Sequence, residues 1–132
     1  MDQKRATPSK MLTILAVENV QRSRDFYRAV FGWSVREDME TYVEFDTGMD
    51  TGICLYERGA FAKNTGTPVL PVMMNSSTGV ELYIYVSDMA DTINKLVSAN
   101  ASMLAARKVM DWGDEVAYYS DPDGHIIAVA QG

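Results

Sequence analysis

One cysteine and one histidine are all this chain of 132 residues contains of the two most versatile catalytic and ligating side chains. The lone cysteine, Cys54, excludes an internal disulfide and fits a reducing, cytoplasmic setting. The lone histidine, His125, leaves a single imidazole to weigh for catalysis. Long apolar runs are also missing, and none approaches the roughly 18 residues of a membrane helix. The first ten residues are polar and lack the apolar segment of a secretory signal, so they read as a frayed lead-in. Basic residues are few. Twelve Lys and Arg stand against 18 Asp and Glu, giving a formal charge of −6 and a pI near 4.6. No Lys/Arg cluster offsets that balance, which excludes nucleic acid and an anionic membrane as expected partners. Apolar residues, by contrast, are ample. At 47% of the chain they suffice for one well-filled domain.

The sequence repeats itself. Asp121-Pro122-Asp123-Gly124-His125 lies between two short β-compatible runs, 116–120 and 126–130. Pro presets φ, Asp bonds its own backbone and Gly permits φ > 0, so the segment predicts a tight hairpin. A weaker copy of the pattern occupies 42–56. Ahead of it, 11–17 predicts a strand, and Asn19 caps a helix from Val20 with Phe26, Tyr27, Val30 and Phe31 on one face. Gly32 suits a left-handed helix end. Strands at 33–39, 41–46 and 52–56 follow. In the second half, 80–86 predicts a strand and Asp88 caps a helix whose Met89, Ile93, Leu96 and Val97 follow helical spacing. Asn100 ends it, and 103–110 predicts a weak strand before the hairpin. Asn19 and Asp88 are 69 residues apart, as are Val17 and Val86. Each half therefore reads β-α-β-β-β. Module one spans 11–57, module two 80–132. The joining loop, 58–79, is long for a compact domain and is expected to be functional, ordered in part, or both.

One strand displays its two faces. Leu82, Ile84 and Val86 alternate with Glu81, Tyr83 and Tyr85. The apolar set is expected under helices, and the polar-aromatic set in a wetter trough. Overall the fold class is α+β, with two tandem βαβββ modules forming a curved mixed sheet around a cleft and helices on the outer face.

Two stretches carry a family resemblance. One is Val17-Glu18-Asn19 followed by Ser23-Arg24-Asp25-Phe26-Tyr27-Arg28-Ala29-Val30-Phe31-Gly32-Trp33; the other is Asp121-Pro122-Asp123-Gly124-His125. With the duplicated order of elements, they resemble the vicinal oxygen chelate superfamily. It contains glyoxalase I, extradiol dioxygenases and the fosfomycin- and bleomycin-resistance proteins. The resemblance implies a homodimer, in which modules are sometimes exchanged between chains. It also implies one divalent metal at the centre of the trough, held by His, Glu or Gln. The matching positions here are Leu12 and Glu81 in the first strands, and Cys54 and Ala128 in the last strands. Leu12 and Ala128 cannot ligate, and a thiolate beside one carboxylate suits Mg²⁺, Mn²⁺ or Ni²⁺ poorly. No metal residues and no cofactor are therefore expected.

The candidate ligand-binding residues are Leu12, Cys54, Tyr56, Glu81, Tyr83, Trp112 and Ala128. Glu81 is the one candidate catalytic group. In a trough its carboxylate would be desolvated and could act as a base or anchor a ligand; otherwise it would be an edge-exposed Glu or a salt-bridge partner. Tyr42, Tyr56, Tyr83, Tyr85 and Trp112 read either as a ligand wall or as ordinary packing. Met73 and Met74 read either as a soft lid or as a dimer contact. Cys54 is expected to be a small buried hydrophobe and His125 a turn residue. The charged helix starts at 22–25 and 88–91 read as solvated faces and caps and imply no site. The expected function is metal-free binding of a small, partly apolar molecule. The alternative is an enzyme with one divalent metal ion in a degenerate site, a glyoxalase-like lyase or isomerase, or a dioxygenase.

Overall fold

A computed structural model of the chain describes residues 7–132. Most of the expected N-terminal lead-in lies outside the described residues. The first module runs β1 (Leu12–Val17), α1 (Val20–Phe31), β2 (Ser34–Asp38), β3 (Tyr42–Asp46) and β4 (Gly52–Glu57). A helix, α2 (Arg58–Thr65), opens the joining segment. The second module runs β5 (Glu81–Val86), α3 (Met89–Ser98), β6 (Ser102–Val109), β7 (Glu115–Ser120) and β8 (Ile126–Gln131). Each module forms its own four-stranded sheet, in the orders β1-β4-β3-β2 and β5-β8-β7-β6. In each, the first strand is parallel to the last and the other pairs are antiparallel. The duplicated α+β architecture is therefore present.

The caps act as their chemistry predicts. The Asn19 side chain accepts from the Arg22 amide at 2.9 Å and Asp88 from the Asp91 amide at 3.0 Å. Gly32 closes α1 at φ 70°, its N–H donating to the Arg28 carbonyl. The aromatic stretch at the end of α1 builds core. Tyr27 stacks on Trp33 at 5.8 Å between ring centres, Phe31 stacks on Trp33 at 4.9 Å, and Phe45 tilts against both Tyr27 and Trp33. The apolar face of β5 enters the same core. Leu15, Val17, Leu55, Leu82, Leu96, Ile127 and Val129 belong to one buried cluster, so the two modules share a single interior.

The hairpin 121–125 is more than a turn. Asp121 accepts from the amides of Asp123 and His125, both at 2.9 Å. It also takes the buried Tyr27 hydroxyl at 2.7 Å and meets the His125 Nδ1 at 2.8 Å. Asp123 reaches across to module one. Its carboxylate accepts from the Glu18 amide at 2.8 Å and the Ser23 hydroxyl at 3.1 Å, and sits 3.4 Å from Arg58 and 3.6 Å from Arg22. The expectation that 22–25 is only a solvated helix start is thus corrected at two residues. Ser23 is buried and Arg22 leans on a buried carboxylate, because the second module docks at this end of α1.

The joining segment also departs from a loop reading. Glu57 caps α2 by accepting from the amides of Gly59 at 2.6 Å and Ala60 at 3.1 Å. Beyond it the chain passes the C-terminal hairpin, where a Cβ on Gly124 would collide with the Met73 carbonyl and where φ is +86°. Only glycine suits both demands. Neither Met73 nor Met74 lines the cavity beside Glu81; both meet the 121–125 turn.

Candidate functional site

Strand alternation sorts the candidate residues onto two sheet faces. Pairing of Leu12 with Gly52 and Ile14 with Cys54 puts Leu12, Cys54 and Tyr56 on one face of the first sheet. Leu12 folds its side chain over Gly52, so much so that a Cβ there would strike it. Cys54 is fully buried. The Tyr42 hydroxyl donates to its sulfur at 3.2 Å and lies 3.4 Å from Glu44. Glu44 is buried too and is neutralised by Arg36 at 3.2 Å and Lys10 at 3.7 Å. Burial pushes the Cys54 thiol up, opposed by the Tyr42 bond, with Glu44 adding to the rise and Lys10 subtracting from it. A thiol so placed is protonated and shielded, as befits a small hydrophobe. Tyr56 stands edge-on to Tyr42 and to Phe61 of α2, and Asn64 donates to its hydroxyl at 3.0 Å. Helix α2 therefore covers part of this face.

On the second sheet three cross-strand rows define the corresponding face. Glu81, Ile126 and Ser120 form the first row, Tyr83, Ala128 and Tyr118 the second, and Tyr85, Ala130 and Val116 the third. Ala128 and Ala130 are fully buried beneath Tyr83, Tyr118 and Met110. Ala128, proposed from sequence as a ligand contact, is in this conformation the floor under two tyrosines. Glu81 is exposed and lacks the desolvation a trough would impose. Its charge raises the Tyr118 phenol, second to the effect of burial. The missed residues here are Tyr118 and Asp114. The period-2 pattern of 116–120 already held the first. The second sits in a turn, where sequence offers no alternation to read.

Trp112 joins this face by hydrogen bonding. Its Nε1 donates to the Tyr83 hydroxyl at 3.0 Å. Tyr83 and Tyr85 in turn donate to one carboxylate oxygen of Asp114, at 2.6 and 2.7 Å. The two hydroxyl bonds hold the Asp114 carboxyl below its ordinary range. The five aromatics, open between a ligand wall and ordinary packing, fall into two separate groups, Tyr42 with Tyr56 beside the first sheet and Tyr83, Tyr85 and Trp112 beside the second.

Two cavities flank the free edges of the first strands. One, of about 350 Å³, lies between the modules and is lined by Thr13, Trp33, Met49, Thr51 and Ile53 on one side and the residues 81–85 on the other. Glu81, Tyr83 and Tyr85 are thereby brought to one hollow. Leu12, Cys54, Tyr56, Trp112 and Ala128 do not line it. The second, of about 610 Å³, lies between β1 and the joining segment, with Arg58, Asp123 and His125 at its polar end.

The donor set does not fit the family's metal. Leu12 and Ala128 offer hydrocarbon, Cys54 is a buried thiol held by Tyr42, and Glu81 alone is free. Asp121, Asp123 and His125 are the one close group of potential ligands among the described residues. Their oxygens are occupied by amides, hydroxyls and guanidinium groups, so the cluster reads as a structural knot between modules.

Two βαβββ modules that share a core and set a mixed polar-aromatic face beside an inter-module hollow define the glyoxalase-like class of fold. The family model described as Glyoxalase-like domain matches residues 11–132. The chain belongs to that family, within the vicinal oxygen chelate superfamily. Among solved structures, it is similar to a glyoxalase-related enzyme from Fulvimarina pelagi, with 18% identity, a TM-score of 0.78, and coverage of 92% of this chain and 86% of that one. It is similar also to the hypothetical protein SA1046 from S. aureus, at 20% identity, TM-score 0.82 and 96% coverage of both chains. A glyoxalase/bleomycin resistance protein/dioxygenase family enzyme from Burkholderia phytofirmans PsJN aligns at 15% identity and TM-score 0.75, over 91% of this chain and 95% of that one. At such identities the likeness is one of fold. No curated protein matches the sequence. Among the described residues no helix is long and apolar enough to cross a membrane.

Proposed function

We propose that this glyoxalase-like chain binds a small, partly apolar molecule in the hollow beside Glu81, without the family's divalent metal. The observation that carries the reading is a substitution of kind. The four positions that ligate metal in the family hold Leu12, Cys54, Glu81 and Ala128, of which Cys54 and Ala128 are sealed beneath tyrosines. Leu12 offers only hydrocarbon, and beside Glu81 an inter-module cavity of about 350 Å³ opens between apolar and aromatic walls. Apolar burial there stabilises a complex by about 25 cal/mol per Å², before the cost of association. Glu81 and the tyrosine hydroxyls orient the ligand. The protein acts as a homodimer in the cytoplasm.

Thermal shift with a small-molecule panel and a metal panel tests this, alongside elemental analysis of protein purified without chelator. The expected outcome is stabilisation by partly apolar compounds and a metal content well below one equivalent. Near-stoichiometric metal, or stabilisation by Ni²⁺, Mn²⁺ or Fe²⁺ that is lost in Glu81→Ala, overturns the reading in favour of a metal-dependent lyase, isomerase or dioxygenase.

A further inference from the structure

Several carboxylates on the strands of this protein face a basic partner: Glu44 faces Arg36, Asp46 faces Arg36, and Glu115 faces Arg107. Asp114 does not, and neither does Glu81. Among the described residues no Lys or Arg pairs with either. Asp114 is nonetheless held in place. Its Oδ2 takes the hydroxyls of Tyr83 and Tyr85 at 2.6 and 2.7 Å, and its backbone carbonyl accepts from the Met110 amide at 2.8 Å. Among the described residues no hydrogen bond reaches its other carboxylate oxygen. Around it the rings stay open to solvent, with Tyr85 60% and Trp112 58% exposed.

This arrangement has a chemical preference. A phenol that donates to a carboxylate keeps its proton and gains electron density in its ring. Tyr85 is held in that state, its hydroxyl pushed up to about 12 by the Asp114 bond first and by burial second. Indole and phenol faces attract cations. A fixed anionic oxygen with a free lone pair accepts an N–H. Anions meet two uncompensated carboxylates and are repelled.

We propose that Tyr83, Tyr85, Trp112 and Asp114 recognise the protonated amine of a ligand whose apolar body enters the hollow beside Glu81. The inference rests on the proposed function and names its ligand class. Tyr83 and Tyr85 link the two regions, since they line the hollow and also bond Asp114.

Isothermal titration of the full chain with 2-phenylethylamine, 2-phenylethanol and 3-phenylpropionate at pH 7 is the test. The amine is expected to bind at least about tenfold more tightly than the alcohol. The gap should narrow as salt is raised. Asp114→Asn keeps an acceptor for both phenols and removes the charge; it should erase the preference for amine over alcohol, with the far-ultraviolet circular dichroism unchanged. Trp112→Ala should weaken the amine more than the alcohol. Equal affinity for amine and alcohol, tight binding of the carboxylate, a preference that survives Asp114→Asn, or no binding of the amine each overturns the inference. A neutral compound that binds with no amine preference does so while leaving the proposed function standing. A wide panel with no binder of any charge removes that function as well.

Discussion

Asp123 shows how much one side chain can hold. It is buried, yet it is surrounded by donors from module one: the Glu18 amide, the Ser23 hydroxyl, Arg58 and Arg22. Truncation leaves the buried donors without an acceptor. Asp123→Ala is therefore expected to cost about 3 kcal/mol. Asp25→Ala, at an exposed pair with Arg24, should cost under about 0.5 kcal/mol. Urea unfolding midpoints of the two variants decide it. His125 adds a pH dependence of definite sign. Burial pulls its imidazolium down, but the bond to Asp121 and the charges of Asp121 and Asp123 outweigh that and the repulsion from Arg58, so the folded value lies above 6.5. Stability from the charged pair is then fully present below the ordinary histidine value and is lost as pH rises through the folded one. The facing groups are Asp121, Asp123 and Arg58, with Tyr27 donating to Asp121. The difference in melting temperature between wild type and His125→Gln should shrink across that window; a difference that is flat with pH sinks the assignment. The long-range pairings of Asp121 and Asp123 with module one and Arg58 were not legible in the sequence. The Asp-Pro-Asp-Gly run announced a turn, but its partners lie 65 to 105 residues away, and nothing local marks them.

Elements were legible where one face or one cap carried the information. Helices α1 and α3 have Asn and Asp caps and apolar stripes, and both appear at the expected places. β5 alternates because it has one face on the shared core and one outside it. Helix α2 escaped for opposite reasons. Arg58–Thr65 has no apolar stripe, contains Gly59, and is capped by a glutamate that also ends β4. The candidate faces were legible through period 2, whereas the covering of Cys54 and Ala128 by tyrosines was not, because it depends on side-chain directions across strands. For α2 the cap is the test. Glu57→Ala removes acceptors for the Gly59 and Ala60 amides and should weaken the helix by about 1 kcal/mol. Native-state hydrogen exchange should show the amides of α2 about fivefold faster, with those of α1 unchanged. Equal acceleration in both helices would mean that α2 is not a separately opening unit.

At the scale of the whole molecule the two modules look separable and are not. Their sheets share no backbone ladder. The hydrophobic cluster nonetheless draws Leu15, Phe26 and Leu55 from one module and Leu82, Met89 and Ile127 from the other, and α1 packs on α3. Asp123 then ties the last hairpin of module two to the first helix of module one. Opening either half exposes core belonging to the other, so the domain should unfold as one cooperative unit. Nature supplies a reporter in each half, with Trp33 buried in the first module and Trp112 exposed in the second. Trp112→Phe leaves fluorescence from Trp33 alone, and Trp33→Phe leaves that from Trp112 alone. Within each variant, the fluorescence transition in urea should coincide with that of far-ultraviolet circular dichroism, which reports both modules together. Adding Asp123→Ala should shift all of these transitions together. Separation of the curves within a variant, with Trp112 melting before the helices, would show that the glyoxalase-like modules are independent folding units joined by a tether. The hollow beside Glu81, whose walls come from both, would then lose its fixed shape before either half loses its own.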